Sequence, residues 1–431
     1  MHKYKHLLPA LILFFFSFKS FSQTSGIMAW DAYGMEEKYD TMKSYIGISG
    51  NFMFASNCIT AQFANYYQGK YFIDSTMSKQ VTSQFNKKNY LGFDFDNGIT
   101  FVHRKDTLFH IPISGYFFAL RDRNHADAQF PGDLFNLIFR GNAMYAGQFA
   151  HLDNLSTNIL HYQQLEFGLS KVYHNYKGSY TVGVALSVLK GQNNLSITTA
   201  NTRLGTETNG DSLTIDLSAN IKQSDTTNSG YSAFNGWGLS TDFFVQYYDS
   251  TSEIIVRLDV KDLGFISWNN RSLHNNLDTS FIFSGINVDN LLFGPDSLSN
   301  ISQDSVYRNA YYAHQIRKSY NTFLPASINL SYRMYLDGEY QVPLDAGINY
   351  RLGANSIPFV YGGVSAFITK NMILGGSVSY GGYRKLGFGL NFGENFGKGY
   401  LLSLQTQNIE SLILPNKITG EAAFLTFKKF F

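Results

Sequence analysis

From Thr322 to Tyr335 the even positions carry Leu324, Ala326, Ile328, Leu330, Tyr332 and Met334, and the odd ones include Ser327, Asn329, Ser331 and Arg333. A period of two, apolar on one side and polar on the other, is the mark of a β-strand with two different surroundings. Glu253–Lys261 repeats it: Ile254, Val256, Leu258 and Val260 alternate with Glu253, Arg257, Asp259 and Lys261. Tyr180, Val182, Val184, Leu186 and Val188 form another such face, and Leu386, Phe388, Leu390 and Phe392 alternate with Lys385, Gly387, Gly389 and Asn391. The pattern predicts strands near 44–55, 90–104, 107–122, 159–174, 178–192, 211–224, 236–249, 252–264 and 276–286. From Phe323 onward come almost continuous hairpins, near 322–336, 341–354, 356–369, 371–382, 384–395, 398–409 and 418–431. Asp96-Asn97-Gly98 and Asp337-Gly338 read as tight turns.

Two stretches leave this period. Ile73, Met77, Val81 and Phe85 recur every four residues, a helical stripe with Asp74 or Ser75 as N-cap. In Phe130–Asn142, Leu134, Leu137 and Ile138 share a helical face and Gly141 suits a C-cap. Such helices would lie inside a barrel, cap its mouth or rest at the membrane surface; filling space is the plainer role. Gly191–Gly210 and Trp268–Tyr320 read as long polar insertions, the second carrying Asp296, Asp304, Tyr307, Tyr311, Tyr312 and His314. Loops of that length usually carry binding.

The ends decide where the apolar faces point. His2, Lys3, Lys5 and His6 precede the apolar run Leu7–Phe16, too short to span a bilayer, and Ser20-Phe21-Ser22 gives a small-x-small cleavage pattern. Residues 1–22 are therefore read as a signal peptide, and 23–431 as one outer-membrane domain. The chain closes on Gly420–Phe431, a short strand finishing in two phenylalanines. Such an end suits the last strand of a barrel, which must pair with the first beside lipid.

Composition agrees. Charged residues are 15%, against roughly 25% in soluble domains. Aromatics reach 16%, with 38 Gly and only 8 Pro, and no later apolar run is long enough for a spanning helix. A soluble sandwich would bury the apolar faces instead; strand length and glycine–aromatic richness favour the barrel. Because a charge facing mid-bilayer costs about 2–4 kcal/mol, the apolar faces go to lipid. Glu253, Arg257, Asp259, Lys261 and Arg333 then face the lumen, the arginines meeting lumen acids or lining a solvated pore. The fold class is all-β: one transmembrane antiparallel barrel of about 14 strands with one or two short helices.

Chemistry is sparse. His103, His110 and His125 cluster without zinc-site spacing. Asn209–Ser212 lacks the full calcium-loop pattern. The glycine pairs after Tyr361, Leu374 and Tyr380 precede no helix that could hold a phosphate. The single Cys58 excludes an internal disulfide and suits a small buried position. A net charge of +2 singles out no partner, and dispersed basic residues give no nucleic-acid platform. No catalytic set, cofactor or metal is expected, so an enzyme is the least favoured reading.

Three stretches resemble a family of uncharacterised outer-membrane barrels of Bacteroidota-type bacteria. They are Asp133-Leu134-Phe135 leading to Gly141-Asn142, the segment Val260–Trp268 with Asp262, Leu263, Gly264 and Trp268, and the closing Gly387–Phe431 hairpins. More distantly, the architecture is similar to long-chain fatty-acid transporter barrels and to barrel subunits of type IX secretion. The N-terminal hatch of the fatty-acid transporters has no obvious counterpart. The resemblance implies membrane location and fold, not substrate. Function is then expected to be a binding or scaffold component at the cell surface; the alternative is a channel or transporter for small solutes, hydrophobic ones included. Its partners would be outer-membrane lipid, the barrel assembly machinery and a surface or periplasmic protein.

Phe431, with Phe427 and Phe424, is expected to form part of the signal read by the assembly machinery, since an unclosed barrel exposes an unpaired edge. Phe427, Lys429 and Phe431 share one face. Deleting Phe431 should sharply lower membrane-inserted protein in cells while purified chain still refolds in detergent; normal insertion in cells would leave it only a rim anchor.

Overall fold

The computed structural model describes residues 42–283, 315–336 and 342–431. The signal segment, the Asp337-Gly338 turn and most of the second long insertion, including Asp296 to His314, lie outside the described residues.

Alternation dictates a wall. Its strands are β1 Ser44–Ser56, β2 Asn89–His103, β3 Gly115–Phe130, β4 Ser156–Asn175, β5 Gly178–Thr199, β6 Gly236–Asp249 and β7 Ile254–Trp268. They continue as β8 Ala326–Leu336, β9 Val342–Leu352, β10 Ile357–Thr369, β11 Met372–Gly382, β12 Arg384–Gly397, β13 Tyr400–Thr406 and β14 Gly420–Phe430. Each pairs antiparallel with the next, and β14 pairs with β1 from Tyr45↔Phe430 to Ala55↔Gly420. The result is a closed 14-strand antiparallel β-barrel, in which no edge is left to face lipid.

The outward face is apolar. Ile46, Ile48, Ile99, Leu120, Leu165, Leu186, Val188, Leu239, Leu330, Val378, Leu386, Phe388 and Leu425 are all exposed there. On β5 the outward run Tyr180–Val188 spans nine positions, close to the 9–11 residues of a tilted spanning strand. Polar residues end these runs toward one rim: Asn97, Asp122, Gln163 and Lys190. Tyr173, Tyr180, Tyr247 and Tyr400 ring the other rim, where Tyr180 and Tyr247 lie 4.7 Å apart and Tyr400 and Phe427 5.9 Å apart.

Connections after even-numbered strands are mostly short; those after odd-numbered ones are mostly long, and all three helices lie there. They are α1 Ala61–Gln68, α2 Ser75–Thr82 and α3 Gly132–Arg140. The Asp74 cap and Gly141 terminus match the sequence reading: Asp74 accepts from Met77 N–H at 2.8 Å, and Gly141 has φ +79°. Helix α1 was not expected, because its apolar stripe is short; Thr60 caps it by accepting from Phe63 N–H at 3.2 Å.

The helices form a collar outside the wall. Phe54, Leu91, Ala128 and Phe130 point outward by parity with Ile48, Ile99 and Leu120. They are buried only because Phe63, Ala64, Met77, Val81 and Phe135 cover them. Helix α1 crosses the closing seam: Ala61 N–H donates to Ile418 O at 2.7 Å, and Asn65 Nδ2 to Glu421 Oε1 at 2.8 Å.

Three expectations change. Asp96-Asn97-Gly98 is not a turn but mid-strand, paired with Arg123, Asp122 and Arg121. The strand placed at 107–122 runs instead from Gly115 to Phe130, because Thr107–Leu108 and Ile111–Pro112 fold into their own small hairpin. Gly191–Gly210 is largely strand: β5 has 22 residues and continues past the apolar run. Its end pairs with Leu213–Gln223, which pairs with Leu273–Phe283, so a sheet projects beyond the barrel.

Cys58 lies in the collar core, fully buried, and burial pushes its thiol up to about 12. A maleimide should leave it unmodified in folded, detergent-held protein at neutral pH and label it fully after unfolding, read by intact mass.

Candidate functional site

Inward positions of β2 and β3 carry charge at period two: Asp94 and Asp96, then Arg121, Arg123, His125 and Asp127. All lie in the lumen, and four of the six, Asp94, Asp96, His125 and Asp127, are almost fully buried. Isolated ions there would cost several kcal/mol each, so each finds partners. Arg121 meets Glu166 of β4 at 3.0 Å. Arg123 Nη1 reaches both carboxylate oxygens of Asp262 at 2.8 Å and Gln164 Oε1 at 3.1 Å; its Nε lies 3.6 Å from Asp96. The His125 ring lies between Asp94, at 2.5 Å, and Asp127, at 2.7 Å. Arg351 Nη1 reaches Asp94 at 2.5 Å, and Asn355 N–H donates to Asp127 at 2.9 Å.

Several of these bonds cross the lumen. Asp262 is on β7 and Arg123 on β3; Arg351 is on β9 and Asp94 on β2, on opposite sides of the wall. Tyr383 adds a steric crossing: a Cβ on Gly92 would lie 2.1 Å from its ring.

The motif 260–268 is the pivot. The β6–β7 register shifts between Thr241 and Phe243, and Asp262 has φ +60°. This bulge lets Asp259 and Asp262 both face inward, which strict alternation forbids. Asp262 N–H donates to Asp242 Oδ1 at 2.7 Å, leaving its carboxylate for Arg123. Leu263 turns outward and is exposed. Gly264 is required where a Cβ would come within 2.2 Å of Leu239 O. Past it, Trp268 is buried with Ile266, Leu160, Leu189 and Tyr320, its Nε1 donating to Thr322 Oγ1 at 3.0 Å.

The other singled-out residues fall in three places. Arg257 pairs with Asp259 of its own strand at 2.7 Å and lies over Phe244 at 4.2 Å. Arg333 pairs with Asp345 of β9 at 2.6 Å. Lys261 shares the inward side of β7, and Glu253 sits in the preceding turn at φ +51°. Asp133, Leu134, Phe135, Gly141 and Asn142 belong to the collar and not to the lumen, although Asp133 follows Asp127 closely along the chain. Asp133 accepts from Tyr145 Oη and His151 N–H, both at 2.8 Å; Asn142 Nδ2 donates to Thr206 Oγ1 at 3.5 Å. Phe427 of β14 and Phe431 just after it are exposed on the outer side, whereas Phe424 turns inward to pack near Met53 and Tyr383. Lys429 lies over the Tyr400 ring at 4.2 Å.

Sequence reasoning missed Asp94, Arg121, Arg123, His125, Asp127 and Arg351. The period-two charge run from Arg121 to Asp127 was a usable signal, hidden because it resembles a solvated loop.

The model of the family of unknown function DUF5723 matches residues 40–403. The chain belongs to that family. No curated protein matches it. Among solved structures it is similar to the Ralstonia pickettii toluene transporter TbuX, at 9% identity over 90% of each chain with a TM-score of 0.43. The P. putida toluene transporter TodX is 10% identical over 90% of each chain, at 0.40. A Pseudomonas aeruginosa FadL homologue is 8% identical over 90% of this chain and 89% of its own, at 0.39.

Breaking one partner of a buried pair costs about 3–5 kcal/mol, whereas removing both can be close to neutral. Arg123→Met and Asp262→Leu should each destabilise by that amount, and the double variant by less than either single one. Urea unfolding in detergent, followed by tryptophan fluorescence, measures all three.

Proposed function

We propose that this member of DUF5723 is an outer-membrane channel or transporter for a small solute, its lumen held shut by ion pairs. The carrying observation is the Asp94–Arg351 contact at 2.5 Å, which joins opposite sides of the barrel. A permanent plug is most simply apolar, since replacing buried ion pairs by packed hydrophobes is often neutral or stabilising. Charged groups kept inside a membrane protein mark pathways and switches. Contacts between ions can also part and be rehydrated without exposing apolar core. The scaffold reading, placed first from the sequence, keeps one supporting observation: the projecting sheet built on Leu213–Gln223 and Leu273–Phe283 offers a surface for a partner.

Planar-bilayer recording separates them. Wild-type protein should be mostly closed, and the Asp94→Ser/Arg351→Ser double variant should show stable open steps at least several-fold more often. Silence from both, with a protein partner co-purifying through the projecting sheet, would overturn the channel in favour of the scaffold.

A further inference from the structure

Arg384 opens β12 on the inward side and is 5% exposed. Its Nη1 donates to Gln407 O at 2.8 Å and to Asn408 Oδ1, and its Nη2 to Ser379 Oγ at 2.6 Å. All three acceptors are neutral. Glu410, whose charge acts on Arg384, takes the Phe388 N–H at 3.2 Å and makes no ion pair with the guanidinium. Among the described residues, every other buried arginine in the lumen has a carboxylate partner. Of five guanidinium N–H groups, Nε–H and one on Nη2 have no acceptor among the described residues.

The position is built rather than incidental. The guanidinium lies flat on Gly387, where a Cβ would come within 2.7 Å of Cζ, and 5.6 Å from the Phe359 ring centre. Beside it is a cavity of about 30 Å³, room for about two water-sized groups. Arg384, Arg351 and Gln407 line its polar side, and Met53, Ala55 and Phe359 its apolar side. Arg351 is already paired with Asp94, so the guanidinium with no carboxylate hydrogen-bonded to it among the described residues is that of Arg384.

We infer that this cavity is a binding site for a small carboxylate, of acetate size. The carboxylate accepts from the two free N–H groups of Arg384, and its short apolar end lies against Met53 and Phe359. Guanidinium and carboxylate suit each other as a planar two-bond pair. The site does not depend on whether the lumen conducts.

The test uses the full mature chain refolded in detergent, with ¹³C-acetate as probe. Saturable line broadening is expected with wild-type protein and at least a tenfold weaker affinity with Arg384→Gln. Ala55→Phe, which fills the cavity and leaves Arg384 in place, should abolish binding while heat-modifiable gel migration stays normal, so a folding failure of one variant does not decide the matter. Absence of saturable broadening in wild type, or equal broadening in Arg384→Gln, would overturn the site. Displacement of acetate by chloride at equal concentration would overturn the carboxylate assignment in favour of a halide site.

Discussion

The structure depends on one requirement: every backbone N–H and C=O in the wall must find a partner, because lipid offers none. The β1–β14 ladder meets it. Its pairs run the length of both strands, and the ladder continues beyond them through Ser44 N–H to Phe431 O at 3.1 Å and Ser56 N–H to Thr419 O at 2.8 Å. Closure also explains where the collar lies. Helix α1 hydrogen-bonds to the segment leading into β14 and packs over β1, so the strands joined last in sequence are tied again by the first helix.

A closed wall creates an inside, and the inside must be filled or wet. Here small residues and charges share it. Gly92 admits the Tyr383 ring, and Gly387 the Arg384 guanidinium. Around them, Arg121, Arg123, Arg257, Arg333 and Arg351 each reach a carboxylate. That pairing sets Arg384 apart as the buried guanidinium with no hydrogen-bonded carboxylate among the described residues. The bulge at Asp262 is the local device that allows this. One residue at positive φ turns a carboxylate into the lumen, returns Leu263 to lipid, and sends Ile266 and Trp268 into an apolar cluster at the rim.

The two family-like motifs thus have different physical work. Val260–Trp268 organises the lumen, whereas Asp133–Asn142 shapes the collar, through carboxylate bonds to Tyr145 and His151 and a glycine at φ +79°. Neither resembles a reaction centre. Both fix places where the chain departs from regular strand, and such departures demand specific residues.

The sequence by itself determined the class of fold, because period-two alternation has one meaning beside lipid and survives any register. It also determined most strands after Ala326, where hairpins are short and the partner is the neighbour in sequence. The capped helices α2 and α3 were legible for the same local reason: an Asp cap and a Gly terminus act within a turn. What only the tertiary structure decided is long-range. Asp94 meets Arg351, and Arg123 meets Asp262, across a lumen whose geometry no local pattern contains. The charge run Arg121–Asp127 is strand only because those partners compensate it. The inward turn of Phe424 follows from the barrel parity of β14, and the placement of the helices outside the wall follows from which outward residues needed cover. Local periodicity fixes which face a residue takes; closure of the barrel fixes what that face meets.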